Sequence, residues 1–139
     1  MADLSQCNPT GRFTGLADLY AKYRPTYPDA AIDFVVARCG LGPATTLVDV
    51  GCGTGISSRL FAARGVSVIG IEPNDEMRGR AEAAAGLVYR PGRAEATGLP
   101  DGSAAAVLAA QAFHWFDAEP TLHEFHRILR SGGWVALVW

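Results

Sequence analysis

Apolar positions in this chain fall in short runs that alternate with stretches of helical spacing. Thr45 to Val50 is apolar and β-branched, and three alternate glycines, Gly51, Gly53 and Gly55, break it off, so it predicts a buried strand ended by a sharp turn. From Ile56 to Arg64 the period is helical, with Ile56, Leu60 and Ala63 expected on one face and Gly65 at the stop. Val66 to Ile71 is a second apolar run. Asn74 is expected to cap a helix with Asp75 and Glu76 in its first turn, where the helix dipole favours acids, extending to about Ala85. Gly86 to Arg90 is a weaker third run, ended by Pro91 and Gly92. Ala104 to Ala110 is apolar without alternation, the pattern of a strand covered on both faces. Asp117 is placed to cap a helix from Ala118 to Leu129, with Leu122, Phe125, Ile128 and Leu129 turned inward. Ser131-Gly132-Gly133 closes that helix, and Trp134 to Trp139 is a fifth strand. Upstream, Asp29 to Cys39 has helical spacing, with Ile32, Val35 and Val36 on one face and Gly40 as its stop.

Strands alternating with helices through short connections predict an α/β fold. The sheet is expected to be doubly wound and mainly parallel, in the order 3-2-1-4-5, with right-handed crossovers. Residues 1–14 are polar and broken by Pro9 and Gly11, which suggests a loose arm, and Gly15 to Tyr23 has room for a short helix. Residues 1–40 are therefore taken as an N-terminal arm with helices, and residues 41–139 as the core. The last strand would present an apolar edge. It is expected to be covered by a partner chain, as in a homodimer, or to belong to a piece of a longer protein.

The strand–glycine turn–helix unit from Leu47 to Gly65 is where a nucleotide-like ligand meets an open α/β sheet. Its spacing departs from the dinucleotide pattern G-x-G-x-x-G, because Ile56 occupies the third glycine position. Asp49, two residues before Gly51, would repel a pyrophosphate but suits a cationic ammonium group. S-adenosylmethionine carries such a group and no phosphate. Glu72 ends the second strand about twenty residues past the turn, where a carboxylate accepts from both ribose hydroxyls of an adenosine. That spacing fits a nucleoside without separating the two cofactors; Asp49 and Ile56 separate them.

Five blocks in this order resemble the class I, Rossmann-like S-adenosylmethionine-dependent methyltransferases. The blocks are Val48 to Gly55, Gly70 to Met77, Ala94 to Pro100, Gln111 to Asp117 and Arg127 to Gly133. The likeness is to the small-molecule branch, with the ubiquinone/menaquinone-biosynthesis and trans-aconitate methyltransferases, and it runs from about Tyr20 to the last residue. The resemblance implies cofactor contacts at Asp49, Gly51, Gly53, Thr54, Gly55, Glu72, Pro73, Met77, Ala94, Glu95, Gln111 and Ala112. It also implies that the segment holding Tyr20 and Arg24 lies near the methionine carboxylate as a lid; packing on the core surface is the other reading of that segment. Relatives bracket the adenine with the loop at Ala94 and Glu95 and often carry an Asp two residues before the Glu. Arg93 is there instead, so that contact does not carry over. The resemblance implies two further strands and acceptor-binding insertions beyond the five strands expected here.

Composition narrows the field further. The chain has 139 residues, enough for one domain with a modest core. A net charge of −2 and no basic stripe argue against nucleic acid as the main partner. No apolar run approaches a membrane span, and the N-terminus lacks a secretory signal pattern. The odd cysteine count, Cys7, Cys39 and Cys52 without C-x-x-C spacing, favours reduced thiols in a cytoplasm. Richness in Gly, Ala and Arg suggests a bacterial source. Within Phe113-His114-Trp115-Phe116, His114 is the titratable group expected near a reacting methyl, to assist or orient an oxygen acceptor. Trp115 and the other aromatics would wall the site. A hydrogen-bonded loop residue is the alternative for His114. His123 and His126 are expected on a solvated helix face rather than on a metal. Three functions follow: a methyltransferase of a small-molecule acceptor, an inactive module that binds the same cofactor, and, against Asp49 and Ile56, an NAD(P) oxidoreductase.

Overall fold

Each apolar run identified above becomes a strand. In the computed structural model, which describes residues 26–139, β1 is Thr46–Val50, β2 Ser67–Ile71, β3 Leu87–Arg90, β4 Ala104–Ala110 and β5 Leu129–Val138. All four pairings are parallel, and the order is β3-β2-β1-β4-β5, as expected. The helices are α1 (Asp29–Cys39), α2 (Ile56–Ala62), α3 (Asp75–Gly79) and α4 (Ala118–Ile128), with a 3₁₀ turn at Phe113–Trp115. Tyr20 and Arg24, and with them the expected lid, lie outside the described residues. Among the described residues no helix is long and apolar enough to cross a membrane.

The side-chain alternation of β1 builds two cores. Leu47 joins Ile32, Phe61, Val66, Val68 and Leu108 beneath α1 and α2. Val48 and Val50 join Ile71, Val107, Phe125 and Ile128 beneath α4. Every residue of β4 is buried, which explains why its sequence lacks alternation. Gly40, with φ +61°, ends α1 in the left-handed conformation that a helix stop of this kind needs.

Four local expectations are corrected. The inward face of α2 is Ser57, Ser58, Phe61 and Ala62, whereas Ala63 is exposed and Ile56 and Leu60 are only half-buried. A buried carboxylate on β1 dictates this, as shown below. Helix α3 stops at Gly79 rather than near Ala85. Glycine costs roughly 1 kcal/mol in a helix interior, and here it is the last residue of the helix. In α4 Leu122 is 49% exposed and Glu124 is buried, the reverse of their hydropathies. Finally, Leu129 to Gly133 belongs to β5: Ala104 faces Leu129 but Ala106 faces Trp134, so a bulge with Gly132 at φ +76° interrupts the strand.

Candidate functional site

The carboxyl ends of β1, β2 and β4 open onto one cleft, the expected ligand position in such a sheet. It is lined by Gly51, Gly53, Glu72, Pro73, Asn74, Met77, Arg93, Ala94, Glu95, Gln111, Ala112, Trp115 and Phe116. The cleft thus brings together most of the residues selected from sequence, from the glycine turn, the end of β2, the loop after β3 and the end of β4. Asn74 and Arg93 are additions, and Phe116 is one of the aromatics expected to wall the site. Asp49, Thr54, Gly55 and His114 do not line it.

Glu72 is the most constrained group there. Its side chain leaves β2 beside the turn, and Oε1 accepts from the Gly53 N–H at 3.0 Å while Oε2 accepts from the Asn74 N–H at 2.8 Å. Both oxygens are aimed by backbone, and each retains a lone pair for another donor. Burial pushes its carboxyl above the ordinary range; the two N–H groups and nearby Arg78 pull it part of the way back. Asn74 also caps α3, its Oδ1 accepting from Met77 N–H at 3.0 Å, which fixes the buried Met77 against the cleft.

Asp49 lies at the end of β1, as expected. It is fully buried inside the sheet, and its Oδ2 accepts from Ser57 Oγ and Ser58 Oγ, both at 2.7 Å. A carboxylate in the core needs donors. Two adjacent serines supply them, which turns that side of α2 inward and ties the helix to β1. Both serine bonds fall on the one oxygen, Oδ2. The glycines of the turn differ in role. At Gly51, φ is +71° and an added Cβ would lie 2.8 Å from Phe116 Cζ, so an aromatic of the cleft crowds it. At Gly55, φ is +83° and the added Cβ would land on the Tyr89 hydroxyl, so this glycine is required by the fold. Burial, with Asp49 and Glu72 nearby, pushes the Cys52 thiol well up, which keeps it neutral and unreactive.

At the end of β4, Gln111 has φ +52°, the one positive φ at a non-glycine among the described residues. That unusual backbone turns the chain into the 3₁₀ turn and delivers Trp115 and Phe116 to the cleft. His114 is carried elsewhere. Its Nδ1 accepts from Trp139 Nε1 at 3.4 Å, and its ring lies 4.8 Å from that of Trp115. His114 is half-buried in the 3₁₀ turn and does not line the cleft, whereas its neighbours Trp115 and Phe116 do. His123 and His126 are exposed, and no group of metal-ligating side chains is assembled among the described residues.

The wall formed by Arg93, Ala94 and Glu95 has little regular structure of its own beyond a bridge between Arg93 and Ala96. Side chains of α4 hold it. Glu124 Oε2 accepts from Thr97 N–H and Thr97 Oγ1, both at 2.7 Å; Arg127 donates to both Glu124 oxygens at 2.7 and 2.8 Å and to Asp101 at 2.6 Å. The Arg127 guanidinium holds the Glu124 carboxyl down at about 2. Glu95 Oε1 accepts from the Asp117 N–H at 3.2 Å, and its other oxygen lies 3.5 Å from Arg93 Nε. Asp117 occupies the cap position of α4, yet its side chain makes no capping bond.

Residues 48–137 match the model of the methyltransferase domain. The chain belongs to that family. A Mycobacterium tuberculosis protein named as an uncharacterized methyltransferase is 38% identical over 128 residues, covering 91% of this chain and 51% of the relative. The structure of a provisionally named type II methyltransferase from Anaeromyxobacter dehalogenans superposes with a TM-score of 0.71 at 33% identity, covering 82% of this chain and 48% of that one. Geranyl diphosphate C-methyltransferase of Streptomyces coelicolor, solved with S-adenosyl-L-homocysteine, Mg²⁺ and geranyl-S-thiolodiphosphate, gives 0.68 at 25% identity, over 77% and 42% of the two chains. This methyltransferase domain spans about half the length of the curated relatives it matches. Its relatives come from bacteria and from eukaryotes, so membership does not fix a bacterial source.

Proposed function

We propose that this methyltransferase domain binds S-adenosylmethionine in the cleft and takes part in methyl transfer to a small-molecule acceptor. The observation that carries the proposal is Glu72, held by two backbone N–H groups and facing the cleft across the glycine turn. A diol is the natural partner for such a carboxylate, since two adjacent hydroxyls donate where its lone pairs remain. The charged lining fits the rest of that cofactor. It consists of Glu72, Glu95 and Arg93, with Arg93 paired to Glu95, so the cleft offers acid to a cation and no cluster of bases to a pyrophosphate. Thr54 Oγ1, buried and without a hydrogen-bond partner among the described residues, leaves one further polar atom at the glycine turn.

When bound, S-adenosylmethionine supplies a methyl group already activated by its sulfonium. What the domain adds is placement, and alignment of reacting groups alone accounts for large accelerations. Gly51 and Gly53 let a ligand approach the backbone, Glu72 grips the sugar, and Met77, Ala94 and Glu95 line the far end. Pro73, Gln111 and Ala112 complete the lining. Trp115 and Phe116 exclude water from one side. We assign no proton transfer to His114. A cytoplasmic setting belongs to the proposal, supported by Cys39 and Cys52 as buried free thiols. So does a second copy of the chain against the open edge of β5.

Calorimetry with S-adenosylhomocysteine and with NADH on the same preparation tests the cofactor. Binding of the first and not the second is expected; the reverse result would refute the proposal. Glu72→Ala should weaken S-adenosylhomocysteine binding by at least tenfold, because a charge-assisted contact to a buried acid contributes about 1.5–3 kcal/mol. Unchanged affinity in that variant would remove Glu72 from the role.

A further inference from the structure

We propose that Glu124, which does not touch the cleft, is a positioning residue that sets the spacing of the two walls at the cleft's base-binding end. The inference rests on the nucleoside reading above. One wall is the loop with Arg93, Ala94 and Glu95; the other is Trp115 and Phe116, directly before α4. The loop runs from β3 to β4 with almost no backbone pairing of its own, so its place depends on what grips it. Its polar grips lead to α4, and the Gly102 N–H also donates to the Arg127 carbonyl at 2.9 Å. Glu95 accepts from the Asp117 N–H at the start of the helix. Glu124, on the buried side, takes both the N–H and the hydroxyl of Thr97.

The chemistry requires an acid at this position. Glu124 accepts four hydrogen bonds, two from Thr97 and two from Arg127, and only an ionised carboxylate presents acceptors on both oxygens. A glutamine would turn an N–H₂ toward one set of donors. Its two grips are also cooperative: Arg127 holds the carboxylate and reaches on to Asp101 at the far end of the same loop. The loop is therefore clamped at Glu95, Thr97 and Asp101 to a single helix. Beside Glu124, Phe125 packs against Phe113, with ring centroids 6.4 Å apart, and Phe113 against Phe116 at 6.1 Å. One residue pair on α4 thus anchors both walls, the polar one through Glu124 and the aromatic one through Phe125.

The test compares the full chain with its Glu124→Gln and Thr97→Val variants. Affinities for S-adenosylhomocysteine and S-inosylhomocysteine are measured by calorimetry at a temperature where circular dichroism shows each variant folded. The two ligands differ only at the base, so their affinity ratio reports on the walls and not on general stability. Glu124→Gln is expected to weaken the adenosine ligand about tenfold and to shrink its preference over the inosine ligand. Thr97→Val should move both quantities the same way by less, and it decides the matter if Glu124→Gln does not fold. Wild-type affinities in the folded variants, or an equal loss for both ligands, would overturn the positioning role while leaving the nucleoside site in place. Failure of the wild-type chain to bind either nucleoside would instead show that the underlying cofactor reading is wrong, and the inference would fall with it.

Discussion

A buried acid whose carboxyl lies at about 2 is a pH sensor for the fold, and Glu124 is that residue here. In the unfolded chain its carboxyl returns to the ordinary glutamate range, about 4.3. The folded value is the lower one, so the stabilisation is fully present above the unfolded value and is lost as pH falls toward 2. Its size is on the order of 3 kcal/mol. Urea unfolding of wild type and Glu124→Gln between pH 6 and about pH 2.5 should show the gap between them closing as the acid titrates; a constant gap would refute the assignment. Sequence made one of the two key acids legible and hid the other. Glu72 was visible because its role follows from local spacing, a strand end at a set distance past a glycine turn. Glu124 was not, since its partner Thr97 lies 27 residues away and the helix pattern around it looks solvated. Asp49 was legible as unusual, but nothing in the spacing says that Ser57 and Ser58 turn toward it.

Helix α2 shows how a polar demand overrides an apolar pattern. Its apolar residues at helical spacing pointed to one face, yet the serines beside them face inward because the carboxylate of β1 must be satisfied. The run of β4 needed no correction, since a strand buried on both faces is apolar throughout. Elements whose limits depend on weak terms were misplaced: α3 ends at one glycine, and β5 begins early through a bulge. At the entrance to α2, Gly55 meets two requirements at once, a left-handed backbone and space for the Tyr89 ring. Gly55→Ala is expected to destabilise the domain by more than about 1 kcal/mol, with chemical denaturation as the measure. The equivalent change at Gly65, which has a positive φ but nothing near an added Cβ, should cost only the backbone share.

Across the molecule, the order of the sheet was legible because alternating strands and helices leave few right-handed solutions. What lies against β5 was not. The strand has one neighbour among the described residues, and Trp134, Val135 and Leu137 beside it are each about two-fifths exposed. With a second copy as the proposed cover, light scattering should show mass rising with concentration. Val135→Lys should shift that rise to higher concentration, because a charge on an edge strand opposes pairing. The three tryptophans fall unevenly over this plan. Trp134 and Trp139 sit at the open edge, the latter 66% exposed, whereas Trp115 lines the cleft. Iodide in solution should therefore quench the emission of the outer pair and leave the inner indole as the dominant fluorophore. Its remaining signal becomes a built-in optical gauge of occupancy, titratable with unlabelled nucleoside and needing no turnover at all.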